Sequence, residues 1–357
     1  MRIVVAMSGG VDSSVAAALL AEQGHDVIGV SMQLYDQSQT DASGVHKFGT
    51  CCTIDDLYDA RRVAAAIGIP HYIVNFESQF GDHVVSNFVN EYMAGRTPIP
   101  CSHCNSDLKF AELLDRAKAF GAESLATGHY ARVEQDAAGR YHLYRGADNS
   151  KDQTYFLFSL TQAQLARAAF PVGHLDKETV RAHAHRLKLR VANKPDSQEI
   201  CFVPDGDYAA FVERHAPEAT RPGTVVGSDG RVLGTHAGVH KFTIGQRKGL
   251  GLSSREPLYV LEIKPDTAQV VVGARESLGR ATLTASGVNW VSGAADTAWR
   301  PLTAQIRHRH AAAPAKVRAL DEQRAEVAFD APQTAVTPGQ AVVFYDGEEV
   351  IGGGWID

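Results

Sequence analysis

The chain has 357 residues, a formal net charge of −6, 44% hydrophobic and 21% charged residues. It is too long for one ordinary core, so two or three domains are expected, with the composition of a soluble globular protein. No run of about 18 apolar residues occurs, which excludes a membrane-spanning helix, and the bulk charge does not advertise a nucleic-acid binder. The opening residues read as a strand rather than a basic head and apolar core. With five cysteines and no export signal, a reducing, cytoplasmic setting is expected, where cysteines are more often catalytic, redox-active or metal-binding than bridged.

The apolar, β-branched run 3–6 predicts a short buried strand. Residues 11–23, rich in Ala and Leu and stopped by Gly24, predict a helix. The turn between them carries Ser8, Gly9, Gly10, Asp12, Ser13 and Ser14. Adjacent glycines let backbone N–H groups point into one concavity, and small polar groups at a helix N-terminus favour an anion. This pattern predicts a phosphate cradle. It is not the common P-loop, because no Gly-Lys-Ser/Thr follows, nor is it G-x-G-x-x-G.

Further strands are predicted at 25–35, 71–76 and 123–130, and helices at 56–67 and 109–120. Strands alternating with helices predict a doubly wound, mostly parallel α/β sheet, with ligands beyond the carboxyl ends of its strands. Gly128-His129-Tyr130 falls at such an end. Lys151-Asp152-Gln153 is a charged and polar triplet before an aromatic run.

Cys101-Ser102-His103-Cys104 is a C-x-x-C after the proline-stiffened stretch 96–100. With Asn105 as N-cap of the next helix, Cys104 would sit against the positive helix end, which lowers a thiol pKa. The spacing also suits a metal or a redox disulfide. No second C-x-x-C is present, so structural zinc is not expected. Cys201 ends the polar segment Lys194-Pro195-Asp196-Ser197-Gln198-Glu199-Ile200. The vicinal pair Cys51-Cys52 predicts a structural or local role.

Two acid-free basic stretches stand out: 179–195, with Arg181, Arg186, Lys188, Arg190 and Lys194, and 297–320, with Arg300, Arg307, Arg309, Lys316 and Arg318. Each reads either as a phosphate-contacting patch or as a solvated face. From about residue 205 the texture changes. The glycine-dense 223–251 predicts a small β-rich module. Short β-like runs at 281–288, 302–306, 315–320, 324–329, 341–345 and 350–355 predict a small barrel or sandwich.

The string S-G-G-V-D-S-S resembles the PP-loop of the N-type ATP pyrophosphatases. Together with "GRTPIPCSHCNSDLKF", "ATGHYAR", "SKDQTYFL", "KPDSQEICFVPDGDY", "GTHAGVHKFTIGQRKGLGL" and the closing "GGGWI", it is similar to one family, the tRNA-specific 2-thiouridylases, over nearly the whole chain. That resemblance implies a catalytic domain at 1–205, a central β-rich module contacting tRNA at 206–280 and a tRNA-binding β-barrel at 281–357. It implies ATP held by Ala6, Met7, Ser8, Gly9, Gly10, Val11, Asp12, Ser13, Ser14, Met32 and Gly128, with Mg2+ bridging the phosphates. The wobble uridine is flipped into the site, its C2 oxygen is adenylated, and a persulfide on Cys201 attacks C2. Cys104 then releases 2-thiouridine, leaving a Cys104–Cys201 disulfide. The implied tRNA contacts are His129, Lys151, Asp152, Gln153, Arg307, His308 and Gln340. The implied partners are tRNAs for lysine, glutamate and glutamine, and a sulfur-relay protein or cysteine desulfurase.

One departure accompanies the resemblance. The family's usual Asn-Pro-Asp before the nucleophile, which meets the target base, is here Ile99-Pro100-Cys101. The residue often assigned as general base is thus replaced, and Cys101 or His103 is the substitute at hand. Alternatively, Cys101, Cys104 and Cys201 ligate an iron–sulfur cluster that binds hydrosulfide. The rival functions are another PP-loop enzyme, such as a different tRNA sulfurtransferase or a nucleotide amidotransferase, a non-catalytic nucleotide or tRNA binder, and a dithiol redox protein.

Overall fold

The β-branched run at the start of the chain forms β1 (Arg2–Ala6). Its unbroken apolar pattern reflects burial on both faces, and Val4 and Val5 have no exposed surface. The computed structural model of the chain describes residues 1–35, 53–196, 200–203, 206–293 and 295–357; Cys51 and Cys52 lie outside them. It contains two compact units.

The first unit comprises Met1–Val84, Cys101–Gly206 and Glu348–Val350. β1 is the middle strand of a five-stranded parallel sheet, with β2 (Asp26–Gln33) and β3 (His71–Asn75) on one side and β4 (Ser124–Ala126) on the other. The sheet is doubly wound, as predicted. A hairpin of β5 (Ala131–Gln135) and β6 (Tyr141–Arg145) follows, and β7 (Ala168–Ala169) completes the sheet beside β4. In register, Val4 lies opposite Ile28 and Leu125. Helices α1 (Val11–Glu22), α2 (Ile54–Ile67) and α3 (Lys177–Arg186) bury Val15, Val63 and Val180 in one cluster with Ile3 and Val5. Strand order reverses between β2-β1 and β1-β4. A sheet opens for a ligand at such a switch point, and there the chain leaves β1 at Met7 and β4 at Thr127.

Two predicted elements differ. The strand expected over 123–130 stops at Ala126, and Gly128-His129-Tyr130 forms the exit loop. The helix expected from Asn105 begins at Pro100 and runs through Pro100–His103, a π-helical Cys104–Leu113 and an α-helical Leu114–Ala119. A proline in the first helical turn loses no intrahelical bond, so the proline-rich stretch ends as a helix start.

The second unit comprises Val85–Pro100, Asp207–Gly347 and Ile351–Asp357. Helices Ser86–Met93 and Tyr208–His215 meet through Phe88 and Phe211, edge-on at 5.8 Å, and through Tyr92 and Tyr208, stacked at 4.6 Å. A four-stranded sheet contains β8 (Gly223–Gly227), β9 (Val232–His236), β10 (Tyr259–Lys264) and β11 (Gln269–Gly273) around Val225, Val260 and Val270. Six antiparallel strands follow: β12 (Gly279–Asn289), β13 (Arg300–Gln305), β14 (Ala313–Ala319), β15 (Ala325–Thr334), β16 (Ala341–Asp346) and β17 (Glu349–Ile356). Pairing of β12 with β17 closes them into a barrel and removes the free edges a sandwich would leave.

Candidate active site

The β1–α1 loop is shaped by glycine contacts. Gly9 has φ +77°, and a Cβ there would lie 2.2 Å from the Asp56 carbonyl oxygen at the start of α2. Gly10 occupies the N-cap of α1 without a side chain to cap it. A Cβ on Gly128 would lie 2.4 Å from the Ser13 nitrogen. The loop is braced from within: the Ser8 N–H donates to Ser13 Oγ at 3.2 Å and Ser14 Oγ–H to the Gly10 carbonyl at 2.7 Å. The first turn of α1 thus presents main-chain N–H groups at the switch point, the arrangement that receives phosphate. Met7 and Met32 are buried beside it in β1's exit and β2.

A chain of charges crosses this loop. Lys177 Nζ, at the start of α3, lies 2.8 and 2.9 Å from the two carboxylate oxygens of Asp12. Tyr130 Oη–H donates to Asp12 Oδ1 at 2.8 Å. Burial, with the Asp12 carboxylate beside it, pushes the Tyr130 hydroxyl far above its usual range. Lys177 Nζ also lies 2.7 Å from Asp196 Oδ1, and Lys151 Nζ 2.8 Å from Asp196 Oδ2. Burial raises the Asp196 carboxyl, but these two lysines outweigh it and hold it below the usual carboxylate range. Lys194 Nζ donates to the Gly9 carbonyl at 3.0 Å, to Asp56 at 2.6 Å and to Asp59 at 2.9 Å.

Neither Lys177 nor Tyr130 was predicted as a site residue. Tyr130 was adjacent to a predicted one, but no local pattern ties Lys177 to Asp12. The basic stretch 179–195 is largely committed within the unit. Arg186 grips Glu22 with two 2.7 Å bonds, Arg181 donates to the carbonyls of Ala192 and Lys194, and Lys194 holds the loop.

Cys101 is exposed, Cys104 and Cys201 are partly buried, and none of the three is in a disulfide. The early helix start puts Cys101 in the first turn and Cys104 a turn deeper, so the positive helix end does not act on Cys104. Burial pushes the Cys104 thiol up, and Lys109 pulls it partly back. Asn105, expected as a cap, instead donates to the Phe156 carbonyl at 3.2 Å and accepts from Lys109 Nζ at 2.8 Å. His103 Nδ1 is 3.0 Å from Asp107 Oδ2. Cys201 is followed by buried Phe202, which meets Phe80 edge-on at 5.5 Å. Among the described residues no three His, Cys, Asp or Glu side chains converge to hold a metal. In this arrangement Cys101, Cys104 and Cys201 do not converge into one ligand set.

The other predicted residues separate by environment. His129 is partly buried, with Nδ1 2.7 Å from Thr127 Oγ1, and burial holds its imidazole well below the usual range, hence neutral near pH 7. Asp152 is buried and spent on Arg145, the Gly146 N–H and Thr154 Oγ. Gln153 Oε1 accepts from the Tyr130 N–H at 3.0 Å. Within this triplet Asp152 is buried, whereas Lys151 keeps 36% of its side chain exposed. In the second unit, Arg307 donates to the Thr334 carbonyl at 3.1 Å, and Gln340 Nε2 donates to the Thr97 carbonyl at 2.9 Å. The His308 carbonyl accepts from Gln305, and Ile99 is buried.

A doubly wound sheet with a glycine-tight cradle at its switch point, carried in one chain with a closed antiparallel barrel, defines a nucleotide-binding α/β protein of the HUP class. Residues 1–205 match the family model described as the tRNA methyl transferase HUP domain, 209–274 its PRC-barrel domain, and 280–356 the aminomethyltransferase β-barrel domain. The chain is 56% identical over 366 residues to the tRNA-specific 2-thiouridylase MnmA of Solibacter usitatus, covering 99% of both chains. It is 53% identical to that of Geotalea uraniireducens, covering 100% of this chain and 95% of the relative. The chain belongs to the tRNA-specific 2-thiouridylase MnmA family.

Proposed function

We propose that this chain is a tRNA-uridine 2-sulfurtransferase that spends ATP to replace the C2 oxygen of a wobble uridine with sulfur. Residues 6–14, Met32 and Gly128 hold the nucleotide, with Mg2+ on its phosphates. Adenylation of the C2 oxygen releases pyrophosphate and makes AMP the leaving group. The terminal sulfur of a Cys201 persulfide attacks C2 and expels AMP. The Cys104 thiolate attacks the Cys201 sulfur, 2-thiouridine departs, and a Cys104–Cys201 disulfide remains for a reductant. Lys151, Gln153, His129, Arg307, His308 and Gln340 face the tRNA, while Asp152 shapes the loop that carries Lys151. Ile99, Pro100 and Cys101 meet the target base, and Cys101 takes the base's position in the family pattern. The three-part division at 1–205, 206–280 and 281–357 belongs to this reading, as do a cytoplasmic location, a persulfide donor, and lysine, glutamate and glutamine tRNAs. Among the described residues no helix is long and apolar enough to cross a membrane.

The full-length relationship to 2-thiouridylases carries this reading, and the glycine-tight cradle supports its ATP step. The test uses unmodified glutamate tRNA incubated with the protein, ATP, magnesium, a cysteine desulfurase with cysteine as persulfide donor and a dithiol reductant, then digested and analysed by mass. Wild type gives 2-thiouridine. Cys201→Ser gives none while still binding ATP and tRNA; lost tRNA binding would make Cys201 structural. A protein that releases no pyrophosphate on adding tRNA is a binder and not the enzyme.

A further inference from the structure

The loop from β15 to β16 is built around Thr337-Pro338-Gly339-Gln340. The Gln340 N–H donates to the Thr337 carbonyl at 3.2 Å, and Gly339 has φ +84°. Proline at the second corner and a left-handed glycine at the third is the residue pattern of a type II turn. β17 ties this turn to the end of the barrel. The Gly339 N–H donates to the Ile356 carbonyl at 2.9 Å, and the Ile356 N–H to the Gln340 carbonyl at 2.8 Å. Main-chain groups alone therefore close and anchor the turn, which leaves the Gln340 side chain for another task.

That side chain is spent on the segment 96–98. Gln340 Nε2 donates to the Thr97 carbonyl at 2.9 Å and lies 3.5 Å from the Pro98 carbonyl. In return, the Thr97 N–H donates to the Pro338 carbonyl of the turn's central peptide at 2.8 Å. A Cβ on Gly339 would lie 2.9 Å from Arg96 Cβ and 3.0 Å from the Thr97 nitrogen, so only glycine allows so close an approach. Glu91 holds the start of the segment, accepting from Arg96 Nε at 2.7 Å and, through its carbonyl, from the Arg96 N–H at 2.9 Å. The segment needs such a clamp. Pro98 and Pro100 have no N–H, so a strand ladder cannot hold this stretch. Buried Ile99 and Pro100 follow directly.

We propose that Gln340 is a positioning residue for the target uridine. It serves the tRNA through the segment 96–98: its amide and the close-packed Gly339 fix where Ile99 and Pro100 stand, and these two set the base for adenylation. Loss of the amide then costs rate with tRNA already bound, and not affinity for tRNA. This inference rests on the reading of Ile99 and Pro100 as contacts of the target base.

The test uses unmodified glutamate tRNA with magnesium-ATP. A gel shift gives the Kd for tRNA, and rapid quench gives the rate of pyrophosphate release at saturating tRNA and ATP. Hydrogen exchange read by mass follows the peptide 94–99 in the tRNA-free protein. Gln340→Met keeps the bulk and loses the donor. It leaves the Kd within about twofold of wild type, slows pyrophosphate release about tenfold and speeds exchange in the peptide about tenfold, the range one hydrogen bond commands. Gly339→Ala pushes on the same segment and moves rate and exchange in the same direction. A purely structural brace would not split the saturated rate from affinity. If Gln340→Met raises the Kd while the saturated rate and the exchange hold, Gln340 is a direct tRNA contact and the positioning role is overturned. If exchange rises but the saturated rate holds, the clamp only braces the fold and the proposal is overturned as well. If wild type releases no pyrophosphate on adding tRNA, the reading as an enzyme falls and the inference falls with it.

Discussion

Replacing Gly128 with alanine tests whether phosphate sits where the loop geometry puts it. The new methyl would lie 2.4 Å from the Ser13 nitrogen, 2.6 Å from the Asp12 carbonyl carbon and 2.9 Å from Ser13 Cα. All three are backbone atoms of the first turn of α1, so no side chain can swing aside. Either the exit from β4 or the helix start must give way by about half an ångström or more. Overpacking of this kind costs about 1–3 kcal/mol. The methyl also crowds a cradle N–H, and a hydrogen bond to a charged group contributes about 1.5–3 kcal/mol. Loss of that one bond raises the Kd for ATP about ten- to a hundredfold. Calorimetry with magnesium-ATP reads this directly, and a gel shift with tRNA should be unchanged. Gly81→Ala is the control, because a Cβ there meets no atom within 4 Å and its backbone is helical. It should bind ATP normally and be as stable as wild type or slightly more so. If Gly128→Ala binds ATP within about twofold of wild type in the same titration, the first turn of α1 is not the phosphate site.

Alkylation at rising pH should label exposed Cys101 before Cys104, whose burial-raised thiol gains reactivity only above the ordinary thiol range near pH 8.5; equal rates at pH 7 would contradict that burial. Arg307→Ala should weaken tRNA binding and reduce the slope of log affinity against log salt by about one; an unchanged slope would remove the barrel from the docking surface. Cys101→Asp, which restores the family's usual residue, should support thiolation from a persulfide donor without iron. If only wild type works, and only with iron, the three cysteines act as a cluster after all.

What was legible in the sequence is what local pattern encodes. The opening strand, the Gly24 and Gly68 helix stops and the six barrel strands all fall where apolar runs and turn residues put them. The hairpin at 131–145 escaped because one of its faces carries Arg132, Glu134, His142 and Tyr144, leaving little apolar run to notice. The strand predicted over 123–130 ends at Ala126. Tertiary contact decides this, since the chain must leave the sheet to pass over Ser13. Cys104 was placed at a helix start because Pro100 read as loop, although proline is at home in a first turn. The pairing of Asp12 with Lys177 spans 165 positions, and no window on the sequence contains both.

The burial of Cys104 changes what its chemistry requires. A thiol pre-activated at a helix N-terminus would be a thiolate at rest, free to attack a persulfide on Cys201 before any uridine had been adenylated. That reaction would discharge the sulfur and form the disulfide without product. A thiol raised by burial stays protonated and inert until something lowers its pKa. Lys109 already pulls in that direction, and its ammonium is shared with Asn105 at 2.8 Å. In the proposed reaction, a Cys104 thiol held protonated at rest by burial would spare a Cys201 persulfide until a uridine is adenylated.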